Sequence, residues 1–179
     1  MAIFIPRRRA SEIVGRFGFL QVERHEVETE ARGLYEAYTL RLVNWASVVA
    51  FTEEGQVVLV RQHRYGIDAV TIEVAGGLID PGEEPAVAAA RELLEETGYA
   101  AGPLDPLGVV HPNPALQGNT YHMFLTQGAR KVAELASDPH ESVEAVVMSR
   151  GDVLQALEDG RISHALSALA LERAFARVR

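Results

Sequence analysis

Between Gly77 and Tyr99 the chain reads GLIDPGEEPAVAAARELLEETGY, placing Glu83, Glu92, Glu95 and Glu96 around one arginine, Arg91. A helix is expected from about Pro85, where proline fits the first turn, to a stop at Gly98. With Glu92 set at 0°, Glu95 falls at about −60° and Glu96 at about +40°, so three carboxylates share a face. Val87, Ala90, Leu94 and Thr97 are then expected to pack on a sheet, with Leu93 and Arg91 on the flanks. A solvated helix side could carry the same glutamates. Like charges at these spacings, however, repel by roughly a few tenths of a kcal/mol per pair, and only Arg91 is near enough to help. A hard divalent cation such as Mg²⁺ relieves that repulsion, taking carboxylates, substrate phosphate oxygens and water as ligands.

The segment resembles, slot by slot, the signature of the Nudix hydrolases: Gly, five residues, Glu, seven residues, Arg-Glu-aliphatic-any-Glu-Glu-any-Gly-bulky apolar. Gly77, Glu83, Arg91, Glu92, Leu93, Glu95, Glu96, Gly98 and Tyr99 fill it, with Tyr99 the loosest fit. The resemblance implies hydrolysis of a nucleoside diphosphate linked to another moiety, with Mg²⁺ or Mn²⁺ held by Glu92, Glu95 and Glu96. It also implies that the backbone carbonyl of Ala75 ligates a metal. Glu83 is expected to support the metal shell and Arg91 to orient a carboxylate through a forked salt bridge.

Further cues lie outside this segment. Ala75-Gly76-Gly77 marks a tight turn or a close backbone approach. Arg61-Gln62-His63-Arg64 follows an apolar strand and resembles the branch of the family that cleaves ADP-ribose and other nucleoside diphosphate sugars. The planar fork of arginine suits phosphate. Arg64 is the stronger candidate, for substrate or for pairing with Glu73, and Arg61 the weaker. Glu73 is open between a ribose contact and a structural salt bridge. Pro114, fifteen positions beyond Tyr99, resembles the proline downstream of the signature in that branch. Trp45, the only tryptophan, is either core or a platform for the base. His122 and His164 are read as structural. The resemblance also implies a general base from a loop well after the signature, and the acidic loop 138–144 offers Glu141 first, Glu144 second and Asp138 third. Such a loop can close and expel water.

The 179 residues suffice for one domain, with 1–45 as an N-terminal strand extension. Apolar content of 47% and charged content of 23% are ordinary for a globular chain. No run is apolar enough to span a membrane, and the MAIFIPRRRA start does not read as a signal peptide. Without cysteine there is no disulfide, thiolate site or cysteine nucleophile. A cytoplasmic location is expected. The net charge of −8 disfavours a nucleic-acid partner.

Positioning these groups requires alternating strands and short helices. Residues 13–45 read as an antiparallel hairpin or meander. Ala46–Phe51 and Val57–Val60 read as buried strands joined at Glu53-Glu54-Gly55. Val70–Val74 runs into the glycines, with Val70, Ile72 and Val74 opposite Thr71 and Glu73. Leu107–Val110, Tyr121–Thr126 and Glu144–Met148 complete the strands. Helices are expected over about Asp152–Glu158 and about Ser163–Ala176, the latter capped by Ser163. The fold class is α/β: a helix–sheet–helix sandwich with a mixed sheet and an N-terminal antiparallel extension, which the resemblance also implies.

The resulting expectation is Mg²⁺-dependent cleavage of a nucleoside diphosphate sugar to a nucleoside monophosphate and a sugar phosphate. Alternatives are another substrate (a dinucleoside polyphosphate, a nucleoside triphosphate or a 5′-capped RNA), or a module that binds ADP-ribose without cleaving it. A homodimer is expected, since exposed strand edges are usually covered by pairing.

Overall fold

The computed structural model describes residues 5–134 and 143–178, which cluster into two compact units. The first, Met1–Asn44 with His111–Thr120, is built on strands β1 (Arg7–Phe17), β2 (Leu20–Thr29) and β3 (Gly33–Arg41). They pair antiparallel in that order, as the expected meander. His25, Val27 and Thr29 alternate along β2 as its buried side, and the His25 ring bridges Ser11 and Thr39 at 2.7 Å each.

The second unit, Trp45–Val110 with Tyr121–Arg179, carries the remaining elements. In chain order these are β4 (Trp45–Thr52), β5 (Val57–Arg64), β6 (Ala69–Glu73), β7 (Ala75–Leu78), α1 (Pro85–Thr97), β8 (Tyr99–Ala100) and β9 (Asp105–Val110). They are followed by β10 (Tyr121–Lys131), β11 (Val143–Met148), α2 (Arg150–Glu158) and α3 (Ala165–Arg177). The eight-stranded sheet runs β11-β5-β4-β10-β8, with β6 on β5, β7 on β4 and β9 on β10. β4 and β10 are parallel and the other pairs antiparallel, so the sheet is mixed as expected.

Alternation along β4 creates two cores, because successive side chains point to opposite faces. Ala46, Val48 and Ala50 join Ala88, Ala89 and Leu93 of α1. Val49 and Phe51 join Val153 and Ala156 of α2 and Ala170, Leu171 and Ala174 of α3. The sheet is thus covered on both faces, giving the three layers read from the sequence.

Three elements depart from expectation. Helix α1 is turned about its axis: Ala88, Ala89, Leu93 and Thr97 are buried, whereas Val87 is 58% and Leu94 42% exposed. Small alanines let the helix approach the sheet closely, Glu96 finds the Gly76 N–H on that side and Glu92 is held by Arg91, so the acidic face need not point to solvent. On β6 the buried residues are the polar pair Thr71 and Glu73, and Val70 is exposed. Hydrogen bonds to Glu73 offset its desolvation. The cap of α3 also differs: His164, rather than Ser163, occupies the cap position, and its ring makes no capping bond.

The helix rotation has a direct consequence for stability. Leu93→Ala should cost about 2–5 kcal/mol by urea denaturation. Leu94→Ala, at a half-exposed position, should cost less than about 1 kcal/mol. Equal costs would return α1 to the orientation expected from the sequence.

Candidate active site

Arg91 is the centre of the acidic cluster. Its Nε and Nη2 donate to the two oxygens of Glu83 at 2.9 and 3.0 Å. Nη1 donates to Glu92 at 2.8 Å and to Glu95 at 3.0 Å, and Nη2 also reaches the Leu78 carbonyl at 3.0 Å. A guanidinium has five N–H donors in a rigid plane, which lets one cation gather three carboxylates. The hydrogen bond to Glu83 is the main reason that Arg91 holds its proton more tightly than an ordinary arginine. Conversely, Arg91 and the Asp80 N–H hold the Glu83 carboxyl below its usual range.

Strand β7 supplies the opposite wall. Glu96 accepts the Gly76 N–H at 2.9 Å. A Cβ at Gly77 would stand 2.5 Å from a Glu92 oxygen, and one at Gly76 would stand 2.5 Å from the Ala46 carbonyl. Gly76 is therefore required by close backbone approach, as the sequence suggested, whereas a side chain at Gly77 would displace the Glu92 carboxylate. Glu92 and Glu96 are brought against the backbone beside Ala75, a buried residue opposite Val48. Glu95 is 57% exposed and turned toward Arg91. No three acidic or imidazole side chains among the described residues meet as a metal-binding group. The donor set, carboxylate oxygens beside the β7 backbone, still fits a hard divalent ion in chemistry and charge.

Next to this cluster lies a second buried carboxylate. Glu73, 1% exposed, accepts Arg64 Nε at 2.7 Å on one oxygen and Arg64 Nη2 at 2.6 Å on the other. Thr71 Oγ1 donates to the first oxygen, and His164 Nδ1 lies 2.8 Å from the second. Burial alone would push the Glu73 carboxyl up. The hydrogen bonds from Arg64, His164 and Thr71 outweigh it and hold the group far below the usual carboxylate range. Arg64 also feels the charge of Glu96, which adds to its proton affinity after the bond to Glu73. Tyr121, hydrogen-bonded to Ser47, is pushed up to about 12 by burial, with Glu73 adding to the rise.

The other sequence candidates fall in several places. Arg61 pairs with Glu144 at 2.9 Å across β5 and β11, both substantially exposed, so each engages the other. Trp45 is half-buried at the start of β4 and packs on the apolar cluster of the α3 side. Pro114 belongs to the 111–120 segment of the first unit. Glu141 and Asp138 lie outside the described residues. The sequence reading assigned His164 no role beyond structure, and Thr71 and Ser167 none at all. The 91-residue separation of His164 from Glu73 hid that contact.

Comparison with known proteins decides the family. The NUDIX domain description matches residues 42–168. This chain belongs to the Nudix family. The ADP-ribose pyrophosphatase of Bacillus subtilis (strain 168) is 32% identical over 127 residues, covering 70% of this chain and 69% of that one. The GDP-mannose pyrophosphatase of Cronobacter sakazakii (strain ATCC BAA-894) is 28% identical over 178 residues, covering 94% and 86%. A crystal structure of an ADP compounds hydrolase matches with a TM-score of 0.86 at 23% identity, covering 99% of this chain and 96% of that one, a likeness of fold. The Nudix chain is thus a hydrolase of pyrophosphate bonds, from a family that generally needs divalent metal ions. No helix among the described residues is long and apolar enough to cross a membrane.

Two outcomes follow for this Nudix site. Arg91→Lys keeps the charge and loses the fork, and should lower metal affinity or activity by about 10–100-fold in steady-state assays; unchanged activity would show the fork to be dispensable. Glu73 has a depressed folded pKa, so its stabilisation is complete above the unfolded value of about 4.3 and is lost as pH falls toward the folded value. The urea midpoint of the native protein should fall more steeply from about pH 6 to about pH 3 than that of Glu73→Gln. Parallel curves would contradict the assignment.

Proposed function

We propose that this Nudix hydrolase cleaves the diphosphate of a nucleoside diphosphate sugar, with ADP-ribose the leading candidate, using Mg²⁺ and accepting Mn²⁺. Water adds to one phosphorus and the bridging oxygen leaves with the other, giving a nucleoside monophosphate and a sugar phosphate. The observation that carries this reading is the placement of Glu92 and Glu96 against the Gly76–Gly77 backbone, with Arg64 held close by.

Glu92, Glu95, Glu96 and the Ala75 carbonyl are the groups proposed to hold the metal. A bound divalent ion supplies neutralisation of charge on the phosphoryl oxygens and acidification of the attacking water. Glu83 and Arg91 keep the Glu92 carboxylate oriented, and releasing Glu95 from Arg91 requires breaking only one hydrogen bond at an exposed position. Arg64, with Nε and Nη2 fixed on Glu73, presents its remaining donors to a diphosphate. Glu141 remains the proposed general base, a role worth about 10²–10⁴-fold. Trp45 and Pro114 are proposed to contact the nucleoside, and Arg61 is a weaker phosphate candidate because Glu144 engages it.

The GDP-mannose pyrophosphatase relative aligns over 94% of this chain, which favours a guanine nucleotide sugar as the second reading. The cytoplasm is the proposed location, and a homodimer the proposed assembly. Supporting the latter, β1 is exposed along most of its length and, among the described residues, pairs only with β2; an uncovered edge of this kind favours pairing with another chain.

ADP-ribose, ADP-glucose, GDP-mannose, UDP-glucose and a dinucleoside polyphosphate should be assayed with Mg²⁺ and with Mn²⁺. The highest kcat/KM is expected on a nucleoside diphosphate sugar, and Glu96→Gln should lose at least about 10²-fold of it. Preference for the dinucleoside polyphosphate, or near-normal turnover by Glu96→Gln, would refute the reading.

A further inference from the structure

We propose that His164 is a positioning residue for the diphosphate-binding arginine: through Glu73 it fixes the plane in which Arg64 presents its guanidinium. The proposal deepens the reading of Arg64 given above and rests on it.

The geometry is that of a carboxylate held from four directions. Each Glu73 oxygen receives one arm of the Arg64 fork and one further donor, Thr71 on Oε1 and His164 on Oε2. A side-on carboxylate–guanidinium pair is coplanar, so whatever sets the carboxylate plane sets the guanidinium plane. Thr71 comes from the same strand two residues earlier and can steady only one oxygen. The other oxygen depends on His164, from outside the strand. Without it the carboxylate can turn about its last bond, and the long Arg64 side chain turns with it.

His164 is itself held firmly. Its Nδ1 lies 2.8 Å from both Glu73 Oε2 and Ser167 Oγ. An ionised carboxylate only accepts, so the tautomer that serves Glu73 is the one with its proton on Nδ1. Ser167, fully buried, takes the Val74 N–H at 3.2 Å. Val74 is the residue between Glu73 and Ala75. The first turn of α3 is therefore tied to the β6–β7 junction by two side chains, His164 on Glu73 and Ser167 on the next backbone N–H. His164 makes no capping bond in its own helix, which leaves its ring available for this contact.

The experiment compares Arg64→Ala, His164→Ala, His164→Asn, His164→Gln and the Arg64→Ala/His164→Ala pair on ADP-ribose with Mg²⁺, reading KM and kcat separately and the thermal midpoint alongside. Arg64→Ala should raise KM by about tenfold or more. His164→Ala should raise KM by about three- to tenfold with kcat within about twofold. Asparagine can place an N–H near the Nδ1 position, so His164→Asn should recover most of the lost affinity. His164→Gln, which reaches the Nε2 position instead, should not. In the double variant KM should match that of Arg64→Ala alone, because with no arginine there is nothing left to orient. The His164→Asn and His164→Gln comparison stands even if the alanine variant folds poorly. A raised KM in Arg64→Ala with no change in His164→Ala, or with multiplying effects in the double variant, overturns the positioning role and leaves the arginine's role intact. An unchanged KM in Arg64→Ala overturns both.

Discussion

The structure depends on pairing several carboxylates in a place where the backbone comes unusually close. Glu83, Glu92 and Glu95 share one guanidinium, and Glu96 leans on a glycine N–H of β7. Unpaired, such charges would repel each other and resist burial. Paired in this way, they allow α1 to turn its acidic side toward the sheet. Ala88 and Ala89 make the approach sterically possible on the helix, and Gly76 and Gly77 on the strand. Packing and electrostatics are thus settled by the same few residues.

A second carboxylate follows the same logic with a different purpose. Glu73 is more deeply buried than any glutamate of the acidic cluster and is satisfied on both oxygens. Its chief partner, Arg64, is partly exposed and feels the charge of Glu96. Positive charge is therefore brought to the edge of an anionic site in a protein of net charge −8. That arrangement suits a doubly charged bridge between two phosphates: metal on one side, arginine on the other. Helix α3, remote in sequence, closes the arrangement through His164 and Ser167.

Much of this was legible in the sequence, for identifiable reasons. The spacing of Gly77, Glu83, Arg91, Glu92, Glu95 and Glu96 is a local pattern, and local patterns survive reading one residue at a time. Strand alternation in Ala46–Phe51 and Val57–Val60 gave the centre of the sheet, and the layered α/β architecture followed. The orientation of α1 was not legible, because wheel geometry assumes that charge faces water and cannot see Arg91 and β7 satisfying it. Nor was the buried side of β6, where Thr71 and Glu73 displace Val70 from the interior. His164 went unrecognised for a related reason: a histidine at a helix start has many uses, and its partner lies 91 residues earlier.

The central claim is that Glu92 and Glu96, set against the Gly76–Gly77 backbone, grip a divalent cation. Titration of Mn²⁺ followed by electron paramagnetic resonance counts bound and free ion directly, without any assay of turnover. The native protein should bind Mn²⁺, and Glu92→Gln and Glu96→Gln, folded by circular dichroism, should each bind it at least about tenfold more weakly. Equal Mn²⁺ affinity in the native protein and both variants would contradict the account.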